Sequence, residues 1–225
     1  MMPSQSVFRW LDGRGWLVLA GAGDPASESD FSEIRAKALG RMAADGAAAV
    51  VFLGEASGAD ALLDDIEDLG APSGYLVDIV TEDDETIRNR LTEAGMIVIS
   101  GASSGAAARS ALLGAAIDGI RAAYENGAII LVEGAASGAF GAYLLDADGT
   151  VSAGLGWLMN ALILPGMASI GQAALPVLSV HPEAVGVGIG SGAALALGGD
   201  GEVEIWGARR VSVALGSAYQ GGQTG

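Results

Sequence analysis

Five short runs constrain this chain more than any other feature. Trp16–Ala20 (WLVLA), Ala48–Leu53 (AAVVFL), Tyr75–Val80 (YLVDIV), Met96–Ser100 (MIVIS) and Ala128–Val132 (AIILV) are apolar almost throughout, not at every second position. A strand with one solvated face alternates; a strand buried on both faces does not. Between these runs, apolar residues recur at helical spacing. The spacing predicts helices over Ser29–Asp45, Ala59–Leu69, from an N-cap at Thr81 to Ala94, and over Gly105–Glu125. Gly46, Gly70 and Gly95 follow the first three as stop signals. Doubly buried strands alternating with helices predict a mostly parallel sheet covered on both faces, a three-layer α/β/α sandwich.

The last third reads differently. Asp148-Gly149 and Asp200-Gly201 are two-residue turn signals between short apolar runs, and Val211–Leu215 follows. This predicts a C-terminal antiparallel meander at the sheet edge. No linker and no long repeat divides the chain, so residues 1–225 are expected to form one domain, with a loose tail at 217–225. Gly149–Pro182 contains no charged residue and is long enough to be weighed as a membrane span. Gly154, Gly156, Asn160, Pro165, Gly166, Gly171, Gln172 and Pro176 interrupt it, and no basic flank orients it. A buried core segment broken by turns is the expectation. Met1–Arg9 lacks the basic-then-apolar pattern of a signal peptide, which points to a cytoplasmic location.

Composition excludes several classes of chemistry. The 225 residues carry 27 acidic against 11 basic side chains, a formal charge of −16. That field repels phosphate backbones and anionic lipid, so neither nucleic acid nor a membrane surface is an expected partner. With no cysteine there is no disulfide, thiolate metal site or thiol nucleophile. The single histidine, His181, is the only imidazole available to a Ser-His or His-metal mechanism. Asp60, Asp64, Asp65, Glu67 and Asp68 fall on the solvated face of their predicted helix, and no metal is expected there. Gly21–Ala26 (GAGDPA) follows the first strand like a loose dinucleotide fingerprint, with Glu55 as a ribose ligand after the next strand. Asp24 puts a negative charge where the phosphate would lie, and a tight turn is the simpler reading. No cofactor is expected.

The most informative segment is Ile129–Leu145 (IILVEGAASGAFGAYLL): an apolar strand, a cluster of small residues, then an expected apolar helix. That is the layout of a nucleophile elbow, in which a strained turn and a closely packed helix require small neighbours. With this segment in place, the chain resembles the cyanophycinase and dipeptidase E group of serine peptidases, which have a class I glutamine-amidotransferase-like fold. Gly134-Ala135-Ala136-Ser137-Gly138-Ala139 stands where the family has Gly-Thr-Ser-Ala-Gly-Ala. Gly154-Leu155-Gly156, His181-Pro182-Glu183 and Gly186–Ser191 are similar to its Gly-Leu-Gly run, its His-Pro-like turn and its Gly-Ile-Gly-Ile-Asp-Glu segment. Ser100–Ser104 is similar to its Thr-Gly-Gly-Asp-Gln loop. The resemblance covers most of the chain.

The residues that the resemblance assigns to catalysis are absent. Ala136 occupies the nucleophile position, Gly166 the histidine position, Gly190 and Ser191 the acidic pair, and Ser103 and Ser104 the Asp-Gln of the upstream loop. The expectation is therefore a non-catalytic homologue with a structural or interaction role. Two alternatives stay open. One is a serine hydrolase acting on acidic or isoaspartyl peptides through Ser137, with His181 or Lys37 as its only candidate bases. The other is a small-molecule binding protein, using the Gly21–Ala26 turn or Gly101, Ser103, Ser104 and Ser137 around the vacated elbow. The charge-poor stretch also suggests a homodimer, with Ala153–Val180 and the closing strands contributing.

Overall fold

The computed structural model describes residues 7–22, 29–43, 45–146, 148–208 and 210–219. In chain order the elements are β1 (Trp16–Ala20), α1 (Ser29–Leu39), β2 (Ala48–Phe52), α2 (Ala56–Asp68), β3 (Gly74–Leu76), α3 (Asp84–Thr92), β4 (Met96–Ser100), α4 (Gly105–Leu112), α5 (Ala115–Asn126) and β5 (Ile129–Val132). There follow β6 (Gly141–Leu145), β7 (Val151–Ala153), β8 (Leu158–Pro165), α6 (Leu175–Leu178), β9 (Val185–Ile189), β10 (Ala193–Gly198), β11 (Val203–Gly207) and β12 (Val211–Leu215).

Seven strands form the central sheet in the order β11-β10-β1-β5-β4-β2-β3. The five strands of the N-terminal half are mutually parallel, and β10 and β11 close one side antiparallel. The doubly buried reading of the apolar runs holds. Val18, Val50, Val98 and Leu131 pack under α1 and α2 with Ile34, Ala38, Leu62 and Ile66. Leu17, Ile97, Ile99 and Ile130 face the opposite side, against Leu91, Ile120 and Tyr124 of α3 and α5. Each such fully buried aliphatic side chain contributes about 1.5–3 kcal/mol by leaving water.

A second sheet of five strands, β12-β9-β8-β6-β7, completes the third layer beside α3, α4 and α5. Its Leu158, Ala161, Ile163, Val185, Val187 and Ile189 join the same core as the central sheet. Trp157 sits at that junction, wholly buried, its ring 5.3 Å from those of Tyr124 and Phe140. The closing strands divide between the sheets: β10 and β11 form the expected antiparallel edge, whereas β12 pairs with β9 in the second sheet.

Several expected elements differ in extent. The strand expected over Tyr75–Val80 stops at Leu76, because the Asp78 carboxylate accepts the backbone N–H groups of Val80 and Thr81 and turns the chain outward. Val80, expected in the strand, is exposed. The cap of α3 is Asp83 rather than Thr81; its carboxylate accepts from the N–H groups of Glu85 and Thr86. The long helix over Gly105–Glu125 is two helices, broken where Leu113 is extended and Gly114 takes φ +104°, a conformation that costs a side-chain-bearing residue about 1–3 kcal/mol. Gly149–Pro182 contains β7, β8 and α6, and no helix of the described residues is long and apolar enough to cross a membrane. Ser217–Tyr219, expected in the loose tail, form a 3-10 turn whose Tyr219 hydroxyl donates to the Glu183 carbonyl; the remaining tail lies outside the described residues. Most of the Gly21–Ala26 turn lies outside them too.

Candidate functional site: the elbow after β5

β5 is the middle strand of the sheet, and its C-terminal end is where β1 and β4 also end. In open α/β sheets ligands bind beyond the carboxyl ends of the strands. Here β5 runs through Glu133 into Gly134 at φ +61°, a left-handed conformation that glycine adopts without a Cβ clash. The Gly134 N–H donates to the Gly21 carbonyl, tying the turn to the end of β1. The chain then enters a 3-10 helix, Gly134–Phe140, and continues directly as β6. The expected apolar helix after the elbow is therefore one short 3-10 segment and a strand. Gly141 lies so close to Ala161 of β8 that a Cβ there would meet the Ala161 carbonyl oxygen at 2.5 Å.

Both elbow residues of interest are buried. Ala136 is fully buried and presents only its methyl group. Ser137 is also fully buried, and its Oγ lies 2.7 Å from the Ala20 carbonyl oxygen and 2.8 Å from that of Val132. The hydroxyl has one proton to donate, and two backbone acceptors at the ends of β1 and β5 share it. This makes Ser137 a clip between two strand ends.

Beside the elbow lies a cavity of about 180 Å³, walled by Ala135, Gly138, Leu144, Ile163, Leu164 and Pro165. Among the described residues, Ser104 and Asp146 are its only polar side chains. The Ser104 hydroxyl caps α4, accepting from the Ala107 N–H at 3.1 Å. Gly101 and Ser103 lie on the exposed approach to that cap, and Gly101 lies against the Phe52 ring.

The other expected positions are small for visible reasons. Gly166 takes φ +81° and donates its N–H to Ile189. A Cβ on Gly190 would stand 2.9 Å from the Arg210 Cβ, so any side chain there requires the β9–β12 connection to move. Ser191 follows it, half-buried, before β10. His181 is not in the cavity wall: its ring stacks on Tyr143, with centroids 4.5 Å apart, and its Nδ1 lies 4.0 Å from Glu183. Lys37 is engaged on α1, its Nζ 3.3 Å from Glu204 and 4.7 Å from the Trp206 ring centre. Among the described residues, no group of His, Asp and Glu is placed to hold a metal ion.

One charged cluster escapes a reading of the sequence. Glu133, the residue before Gly134, is only 1% exposed. Arg35 of α1 grips it with two hydrogen bonds, Nε to Oε1 at 2.7 Å and Nη2 to Oε2 at 2.8 Å, and reaches Asp65 of α2 through Nη1 at 2.6 Å. Burial alone would lower the Arg35 pKa; the hydrogen bonds and charge of Glu133, then of Asp65, outweigh it and raise it. Asp65, expected on a solvated face, is thus an inward-turned ligand of Arg35. The sequence signal was a lone carboxylate directly after an apolar strand. Its partner lies 98 residues away in sequence.

Fold and elbow together define a three-layer α/β protein whose central strand ends in a tight turn of small residues. The chain shares that fold with solved peptidases. It superposes on a peptidase from an acI-B1 Actinobacterium with a TM-score of 0.72 at 16% identity, over 91% of this chain and 93% of that one. It also superposes on a provisionally assigned Peptidase E protein from Listeria monocytogenes EGD-e with a TM-score of 0.62 at 14% identity, over 86% of this chain and 98% of that one. No family model matches the chain, and no curated protein matches it significantly in sequence.

Proposed function

We propose that this chain is a non-catalytic protein built on the peptidase fold, cytoplasmic and self-associating, with a structural or interaction role. The observation that carries the reading is at the elbow. The nucleophile position holds a buried methyl group, and the neighbouring hydroxyl is hydrogen-bonded to the carbonyls of Ala20 and Val132. A serine attacks only when a base takes its proton within hydrogen-bond reach. Neither of the two candidate bases lines the cavity beside the elbow: His181 stacks on Tyr143 and Lys37 pairs with Glu204. The cavity beside the elbow supports the same reading over a ligand-binding one: it is smaller than the roughly 300–1,000 Å³ usual for small-molecule sites, and neither of its polar side chains is cationic.

A fluorophosphonate probe, which labels only activated serines, tests this directly, together with hydrolysis of isoaspartyl and Asp-rich dipeptides. The expected result is no labelling and no turnover above background. Labelling that disappears in Ser137→Ala overturns the proposal in favour of a serine peptidase.

A further inference from the structure

β11 is an edge strand, and among the described residues nothing pairs with its outer side. The hydrogen bonds from Gly198 N–H to Glu202 and from Ala208 N–H to Gly192 fix its backbone parity. With the register Leu195↔Ile205, the even-numbered residues bond to β10, and Val203, Ile205 and Gly207 turn their N–H and C=O groups outward. Val203 and Ile205 are 45% and 48% exposed on the face opposite Trp206. Natural edges are blunted by lysine, proline, a bulge or an inward charge. VEIWG has no lysine or proline, and its register with β10 is unbroken. Its one charge, Glu204, is already engaged within the chain by Arg41 at 2.7 Å, Lys37 at 3.3 Å and the Trp206 indole N–H at 2.7 Å.

We infer that β11 is a self-pairing edge: two copies of this chain join antiparallel through β11 about a two-fold axis at Ile205, extending the central sheets into one. The occupant is a second copy because the strand is complementary to itself. In that register Ile205 meets Ile205 of the second copy as a hydrogen-bonded pair, and Val203 meets Gly207. Pairing about Ile205 uses the outward-facing N–H and C=O groups, and only those. Glu204 falls opposite Trp206 of the second copy, whose ring carries a lysine ammonium at 4.7 Å, so the acid meets a cation-bearing face and not another acid. Glu202 falls opposite Ala208. No like charges oppose each other across the axis, although each copy carries −16. This rests on the self-association in the function proposed above and is independent of whether the elbow is inert.

The test uses the full chain and its freedom from cysteine. Light scattering or sedimentation at high micromolar concentration is expected to give twice 22.3 kDa. Ile205→Lys, at an exposed position, is expected to keep the circular dichroism of the parent and run as a monomer. Ile205→Cys is expected to form a reducible crosslink with itself, because the Cα atoms of a hydrogen-bonded antiparallel pair stand about 5.5 Å apart, inside the roughly 4.4–6.8 Å range of a disulfide. Val80→Cys, at the 86% exposed tip beyond β3, is the control expected to stay uncrosslinked under the same oxidation. A monomeric parent overturns both this surface and self-association. A dimer that survives Ile205→Lys, with the Ile205→Cys variant left uncrosslinked, overturns this surface alone. Probe labelling of the elbow serine overturns the non-catalytic reading and leaves this one standing.

Discussion

Arg35 and Glu133 meet through two parallel hydrogen bonds where the central strand ends and the elbow begins. A carboxylate that is 1% exposed is costly to bury alone, and the guanidinium fork returns that cost only while both partners are present. The pair also joins three elements, since the same guanidinium holds Asp65 on α2. The elbow is thus anchored from the α1–α2 face of the sheet by a charge network, and from the strand ends by the Ser137 hydroxyl.

Removing one partner is expected to be severe. Arg35→Met leaves Glu133 buried and unpaired and is expected to lower unfolding free energy by about 3–5 kcal/mol. The double variant Arg35→Met/Glu133→Leu is expected to recover much of that loss, because an apolar pair of similar volume leaves no buried charge. Urea unfolding of the two single variants and the double variant measures the coupling. Additive losses would show that the ion pair is not what holds these elements together.

A serine introduced at position 136 is expected to create no activity. Ala136→Ser places a hydroxyl in a fully buried position, and neither His181 nor Lys37 lines the cavity beside it. The expected outcome is an unlabelled protein in the fluorophosphonate assay, with stability lowered by about 1–3 kcal/mol for a hydroxyl buried without a partner. Labelling of the new serine would mean that a base approaches the elbow by some other route.

Alkaline titration probes the junction of the two sheets. Burial, and to a lesser degree the charge of Asp12, push the Tyr124 phenol up from 10.0 to about 12, and its hydroxyl donates to the Leu11 carbonyl at 3.1 Å. The folded state therefore holds its proton where the unfolded state has lost it. The stability contributed is fully present below the unfolded pKa of 10.0 and is lost as pH rises from there through about 12. Tyr124→Phe is expected to flatten this alkaline loss while costing about 1 kcal/mol at neutral pH for the missing hydrogen bond. Denaturant midpoints of both proteins across this range check it; parallel pH slopes would refute it.

Much of the central sheet was legible in the sequence because its strands are buried on both faces, and burial of that kind leaves an uninterrupted apolar run. Trp16–Ala20 and Met96–Ser100 form as read. The second sheet was harder to see for the same physical reason in reverse. β8 and β9 lie in stretches so poor in charge that neither a helical nor an alternating period stands out, and their pairing is set by tertiary contact with β6 and β12. The strand and small-residue cluster of the elbow were readable from Ile129–Ala139. The roles of Ser137 and Glu133 were not, since each depends on groups distant in sequence: the Ala20 carbonyl and the Arg35 guanidinium.

The pairing of β1 with β10 sets the order in which the molecule can be assembled. Trp16 lies opposite Gly198, so one flank of β1 has no partner until residue 198 has been made. Its other flank, on β5, is satisfied once residue 132 is made. During the interval a strand of five apolar residues waits with one row of backbone donors and acceptors open. Contacts spanning such separations close slowly, so folding is expected to be limited by the arrival of β10 rather than by the helices. An interruption in synthesis or a proteolytic cut between β9 and β10 would strip the middle of the sheet of one neighbour and leave β1 itself as an edge.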